Sequence, residues 1–238
     1  MRLIMAGPSL VAVALLLALP AGAAASSQKA LAILAEIKAA SGGDAWDKVT
    51  GWHETGVHGT TAYETWLDYQ HYGSLFKQTR DDHIRLRGFN GTIAWDRGPD
   101  GRVVVSTEKS RLAEARTTAY ASINGFLFPD RFPARFDYLR AASEGDRQYD
   151  VLRITPESAN AFELWVDRAT HLVAKLIDRT GERPVVATIT GYEEVDGLKL
   201  GSGFTVSDGI PAHAETARIG RYEVTSLARS VFDPPVDN

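Results

Sequence analysis

The chain contains no cysteine, which excludes disulfides, thiolate metal sites and the acylated cysteine of a lipobox. It has no basic excess. The formal net charge is −4, whereas a nucleic-acid binder carries a basic stripe, so no nucleic-acid partner is expected. The same balance disfavours strong adsorption to anionic lipid heads. Long apolar runs are scarce: the one continuous run, Leu10 to Leu19 (LVAVALLLAL), is shorter than the roughly 20 residues that span a bilayer. Catalytic signatures are missing as well, with no Gly-x-Ser-x-Gly elbow, phosphate loop or dinucleotide fingerprint. In His53-Glu54-Thr55-Gly56-Val57-His58 the histidines are five apart. A zinc-protease helix needs them four apart, and on a strand an odd spacing sends them to opposite faces. His71 and His83 read as surface histidines within reach of Asp68, Asp81 or Asp82. With no acid–base cluster to assemble, the expectation is a protein that is not an enzyme, with no catalytic residue, metal ligand or cofactor.

What is present begins with an export signal. Arg2 is followed by the apolar run, then by Pro20 and the small-residue sites Ala21-Gly22-Ala23 and Ala23-Ala24-Ala25. That order reads as a secretory signal peptide over residues 1–25, cleaved after Ala23 or Ala25. The mature protein is expected to be periplasmic, without a transmembrane segment. Residues 26–238 show no linker, low-complexity tract or repeat, so they read as one domain.

Ser26 or Ser27 can cap a helix over 28–41, in which Leu31, Leu34 and Ile37 share a face with Ile33 beside them; Gly42-Gly43 ends it. Strands are then predicted over 49–59, 62–70, 74–80, 83–89, 92–96 and 102–106. In 83–89, Ile84 and Leu86 alternate with His83, Arg85 and Arg87; Asn90-Gly91 turns the chain, and Ile93 and Trp95 share a face of the next strand. A helix follows over 107–124, stopped by Asn124-Gly125. The segment from Phe126 to Phe136 is aromatic and punctuated by Pro129 and Pro133. It reads either as a movable rim over a cavity or as a loop packed on the core. Strands resume over 136–142, 148–155, 161–167, 172–179, 184–195 and 198–207, with a last β-rich stretch at 215–231.

The expected fold class is mainly β (α+β): a curled antiparallel sheet forming an unclosed β-barrel, with helices covering its concave face. Such a sheet can enclose an apolar cavity. Candidate ligand-binding residues are those of the apolar strand phases, Leu75, Ile84, Leu86, Ile93, Trp95, Phe162, Leu164 and Val166, with Phe126 and Phe128 as candidate covers. Trp66, Trp95 and Trp165 read as core or cavity wall.

Three segments carry a resemblance. They are Phe89-Asn90-Gly91-Thr92-Ile93-Ala94-Trp95, the strand–turn–strand Glu163-Leu164-Trp165-Val166-Asp167-Arg168-Ala169-Thr170-His171-Leu172-Val173, and Tyr192-Glu193-Glu194-Val195-Asp196-Gly197-Leu198-Lys199-Leu200. In order and spacing they resemble hairpins of the LolA/LolB-like periplasmic lipoprotein-carrier superfamily. The resemblance implies an unclosed antiparallel barrel with helical cover that binds acyl chains. The opening Gly42-Gly43-Asp44-Ala45-Trp46 and the ending Phe232-Asp233-Pro234-Pro235 further resemble the amino-terminal domain that precedes retropepsin-like aspartyl proteases. No Asp-Thr-Gly or Asp-Ser-Gly triplet occurs, so protease activity is not carried over.

The expected function is therefore binding of a lipid, an acyl chain or a lipoprotein in an apolar cavity. The alternative is a non-catalytic interaction module whose partner is an envelope protease or assembly factor.

Overall fold

The computed structural model describes residues 26–235; the segment read as a signal peptide lies outside them. Helix α1 (Gln28–Ala40) opens the described chain, with Ser27 as its cap, the Oγ accepting from the Ala30 N–H at 3.1 Å. Its buried stripe is Ala30, Ile33, Leu34 and Ile37, and Leu31 lies outside it at 38 % exposure. The stripe is therefore turned from the one expected. The small Ala30, invisible to a search for large apolar residues, is fully buried on the contact side.

Thirteen strands follow: β1 (Gly51–His58), β2 (Thr61–Asp68), β3 (Ser74–Arg80), β4 (His83–Phe89), β5 (Ala94–Arg97), β6 (Val103–Ser106), β7 (Ala134–Glu144), β8 (Arg147–Pro156), β9 (Phe162–Asp167), β10 (Val173–Asp178), β11 (Val185–Val195), β12 (Leu198–Ser207) and β13 (Glu215–Val224). Helix α2 (Lys109–Ser122) joins β6 to β7. All the strands belong to one antiparallel sheet in the order β6-β5-β4-β3-β2-β1-β13-β12-β11-β10-β9-β8-β7. Each strand thus pairs with its sequence neighbour, except that β6 and β7 lie at opposite edges, and β13 returns to pair with β1.

Turn chemistry sets these registers. Asp81 (φ 47°) and Asp82 (φ 61°) are both left-handed between β3 and β4, as are Asp196 (φ 51°) and Gly197 (φ 79°) between β11 and β12. That is the two-residue turn whose twist matches a hairpin. Asn90 builds the β4–β5 turn with its side chain, its Oδ1 accepting from Thr92 N and Ile93 N at 3.0 Å each. This corrects one expectation: Ile93 belongs to the turn, and β5 begins at Ala94, two residues after the expected start. The final β-rich stretch also ends early, at Val224. Beyond it the chain closes in a 3-10 turn, Arg229–Phe232. There Phe232 packs against Gly73, where a Cβ would come within 2.5 Å of the ring. The Phe232 carbonyl takes the Trp95 indole N–H at 2.8 Å.

The edges β6 and β7 are the two strands that α2 joins, so the connection must cross the sheet. Ala119 of α2 packs with Phe89 on β4 and Ala94 on β5. Its neighbour Tyr120 meets the ring of Phe162 on β9 at 6.2 Å. In a flat sheet β4 and β9 would be roughly 38 Å apart, at about 4.8 Å per strand, yet a helix is only about 10–12 Å wide. One helix touches both because the sheet curls around it. The helical elements occupy the concave face. The main core, with α1, the 126–136 segment and the inner residues of β8 and β9, lies there. The edge strand β7 is partly covered too: Ser27 N donates to the Phe136 carbonyl at 2.8 Å, and Ser26 Oγ accepts from Phe136 N at 3.1 Å. Occupying the open hydrogen-bonding groups of an edge in this way guards against unwanted strand addition.

Candidate functional site

A cavity of about 520 Å³ lies between the concave face and the helical cover. Strand alternation decides its walls. On β1 and β2, Trp52, Glu54, Tyr63, Thr65 and Leu67 point inward. His53, Thr55, Glu64 and Trp66 take the outer face. Strands β10 to β13 complete the wall with Leu176, Ile189, Phe204, Ala217, Ile219 and Tyr222, among others. The roof comes from Ile37 at the end of α1, from Trp46, from Ala121 and Ser122 of α2, and from Phe126 and Leu127. A second hollow of about 730 Å³ adjoins it around the β7–β8 and β9–β10 turns, and the two share Leu172, Val173, Ile189 and Tyr192. The volume of the first is in the range of small-molecule sites, which are mostly apolar with a few placed polar groups.

Several of the polar groups are committed to the protein. Tyr192 donates its hydroxyl to the Val173 carbonyl at 2.5 Å, and Tyr222 donates to the Gly201 carbonyl. Burial pushes both phenols well above their ordinary range. Tyr63 donates to Glu54 Oε1 at 3.4 Å, and the Trp52 indole N–H donates to Glu54 Oε2 at 3.2 Å. Gly56 makes room for this arrangement, since a Cβ there would lie 2.8 Å from the Tyr63 ring. Desolvation raises the Glu54 carboxyl above its ordinary value, against the lowering effect of those two hydrogen bonds and of His53. Arg87 lines the wall from β4, with its Nε 3.1 Å from Asp96 Oδ1. His58 lines it at the end of β1, with Nε2 3.0 Å from Glu215.

The ten residues singled out from the sequence fall into four places. Phe126 lines the cavity, and Leu75 borders it on β3 while sharing the outer face of its partners Trp66 and Gly88. Phe128, Phe162, Leu164 and Val166 are buried in the adjoining main core, at 6 % exposure or less. Ile84, Leu86 and Trp95 share the outer face, set by the pairings of β4 with β3 and β5. Ile93 sits in its turn. The apolar phase of β4 thus points outward, and the arginine phase faces the concave side. Trp95 is nevertheless buried, because Gly88 beside it leaves room for the indole (a Cβ would lie 2.1 Å away) and the Phe232 turn covers it.

The other two strand tryptophans also lie outside. Trp66 stacks on His53 at 4.7 Å. Trp165 joins Tyr149, Val151 and Ile177 in a separate outer cluster, with Lys175 over its ring at 5.1 Å. The tryptophans that line the cavity are Trp46 and Trp52. The aromatic segment is packed: Phe126, Phe128, Phe132 and Phe136 are all buried, and Phe128 makes edge contacts to Trp46 and Tyr69. His53 and His58 point to opposite faces, and His71 Nδ1 lies 3.1 Å from Asp68 in a turn. Glu54 and the cavity tyrosines escaped the sequence reading. The available signal was period-two spacing, which sets Glu54 in phase with Trp52.

No family model and no curated protein matches the sequence. Solved structures do resemble it. A LolA superfamily protein from Nitrosomonas europaea is 14 % identical with a TM-score of 0.58, covering 89 % of this chain and 99 % of that one. A DUF1329 family protein from Desulfovibrio piger is 12 % identical with a TM-score of 0.60, covering 88 % and 98 %. At such identities the likeness speaks for the fold, and this chain has the curled, unclosed antiparallel sheet of a LolA-like protein.

Proposed function

We propose that this protein is exported to the periplasm and there binds a lipid, an acyl chain or the acyl group of a lipoprotein in the cavity beneath α1 and α2. It acts by binding and release, without chemistry on the ligand. The observation that carries the reading is the hollow itself. Along the inner faces of β1, β2, β12 and β13 the apolar side chains do not meet the helical cover, and about 520 Å³ stays unfilled. Each methylene taken from water into such a space gains about 0.8 kcal/mol, so an alkyl chain binds without a dense set of polar contacts. The LolA-like fold supports the same reading by analogy.

The test is titration of the mature protein with a fluorescent long-chain fatty acid, alongside the variant Ala217→Trp. Ala217 is a small residue of the wall, and an indole there occupies the hollow. Saturable one-to-one binding is expected for the wild type, with at least a tenfold loss in the variant. Equal binding by both proteins places the chain elsewhere, and no binding by either refutes the reading.

A further inference from the structure

We propose that Glu54 is the headgroup-recognition residue of this cavity, and that the ligand it selects is a long-chain amphiphile bearing an amine or ammonium head. This rests on the binding function proposed above and specifies its ligand class. Glu54 is the one carboxylate among the residues that line the hollow. Three tyrosine hydroxyls of the wall are spent on the protein: Tyr192 on the Val173 carbonyl, Tyr222 on the Gly201 carbonyl and Tyr63 on Glu54 itself. The Trp52 indole N–H is likewise spent on Glu54. A carboxylate offers about four lone-pair positions, and these two donors, at 3.2 and 3.4 Å, leave about half of them open. The wall's one carboxylate is therefore an acceptor with free positions, and the complement of its ionised form is a donor with a positive charge.

The cations of the protein do not supply that complement. Among the described residues, no lysine or arginine forms an ion pair with Glu54. His53 lies on the other face of β1, with its Nε2 3.4 Å from Glu64. Arg87 on the wall is already held by Asp96, which also binds Arg111, so an anionic head there would have to displace a carboxylate, whereas an ammonium head meets Glu54 with no lysine or arginine paired to it. A buried charge with no internal partner destabilises a fold, and here the cost is met when the ligand supplies the partner.

The experiment measures displacement of a neutral pyrene-labelled alkane from the mature protein by hexadecylamine, hexadecanol and palmitate, all below their aggregation limits. It is repeated on Glu54→Gln, which keeps an acceptor for Trp52 and Tyr63. Thermal melts establish that the variant folds. The expected result is displacement by the amine at concentrations at least about tenfold below the alcohol on wild type. On Glu54→Gln that preference disappears. Equal displacement by amine and alcohol on wild type overturns the assignment, as does a preference for palmitate or an amine preference that survives in Glu54→Gln. Each of those outcomes leaves the cavity reading intact. Failure of the pyrene probe to bind overturns that reading as well.

Discussion

The concave face of this sheet is filled at one end and hollow at the other. On β8 and β9 the inward residues are Leu152, Ile154, Phe162, Leu164 and Val166, all at most 4 % exposed and packed under α1 and the aromatic 126–136 segment. On β1, β2, β12 and β13 the inward residues include Thr65, Phe204, Ala217 and Tyr222, and the hollow opens above them. The backbone pattern is the same at both ends, since every strand alternates inward and outward. What differs is side-chain volume and hydroxyl content. Branched aliphatics interdigitate with the cover. The tyrosines instead spend their hydroxyls on neighbouring carbonyls and a carboxylate, which pins their rings along the wall. A binding space is made here by pinning large side chains to the sheet while the helices roof it.

Truncation in the filled half breaks this contrast most severely. Leu164→Ala is expected to cost about 2–5 kcal/mol in urea unfolding, and a loss below about 1 kcal/mol would show that this end is not close-packed. Enlarging small residues sharpens the comparison. Ala119→Leu, at a fully buried site, should destabilise by about 1–3 kcal/mol through overpacking. Ala217→Leu, on the cavity wall, should stay within about 0.5 kcal/mol.

The carboxyls of the two faces should titrate in opposite senses. The folded pKa of Glu54 is raised by desolvation. Below the ordinary carboxylate range it is protonated in both states and contributes nothing; above its folded pKa its ionised form destabilises the fold. Glu54→Gln should therefore raise the melting temperature at pH 7, and the gain should vanish in acid. For Glu163, on the outer face, burial works upward, but the hydrogen bonds from Arg179 and Trp165, with Arg140 nearby, bring the pKa below its ordinary value. Its contribution is present above the unfolded pKa and lost as pH falls through the folded one, so Glu163→Gln should lower the melting temperature at pH 7. Equal and like responses of the two variants would contradict the electrostatic assignment. The smallest effect is expected outside: Ile84→Ser, at a position 42 % exposed on the outer face, should change stability by no more than about 0.5 kcal/mol.

Much of the fold was legible in the sequence because local chemistry states it. Strands β3, β4 and β12 begin and end where alternation and turn residues put them, and Asn124, left-handed at φ 48°, stops the chain after α2 as expected. The hairpin motifs identified the LolA-like sheet correctly. Which face is which was not legible. Alternation divides the residues of β4 into two sets, but the choice of concave set depends on where α2 lies, and α2 is placed by contacts with β4, β5 and β9 far apart in sequence. The arginine phase therefore went inward against expectation. Glu54 was hidden for a related reason. A lone carboxylate in a strand reads as solvated until the sheet curls and its neighbours prove to be Trp52 and Tyr63.

Native mass spectrometry of the mature protein, exported and purified without detergent, tests the central claim most directly. The account predicts a reproducible adduct in the lipid mass range, released by solvent extraction and absent from Ala217→Trp. A bare protein mass for wild type and variant alike, with no uptake of an added long-chain probe, would contradict it and show that the hollow holds no ligand.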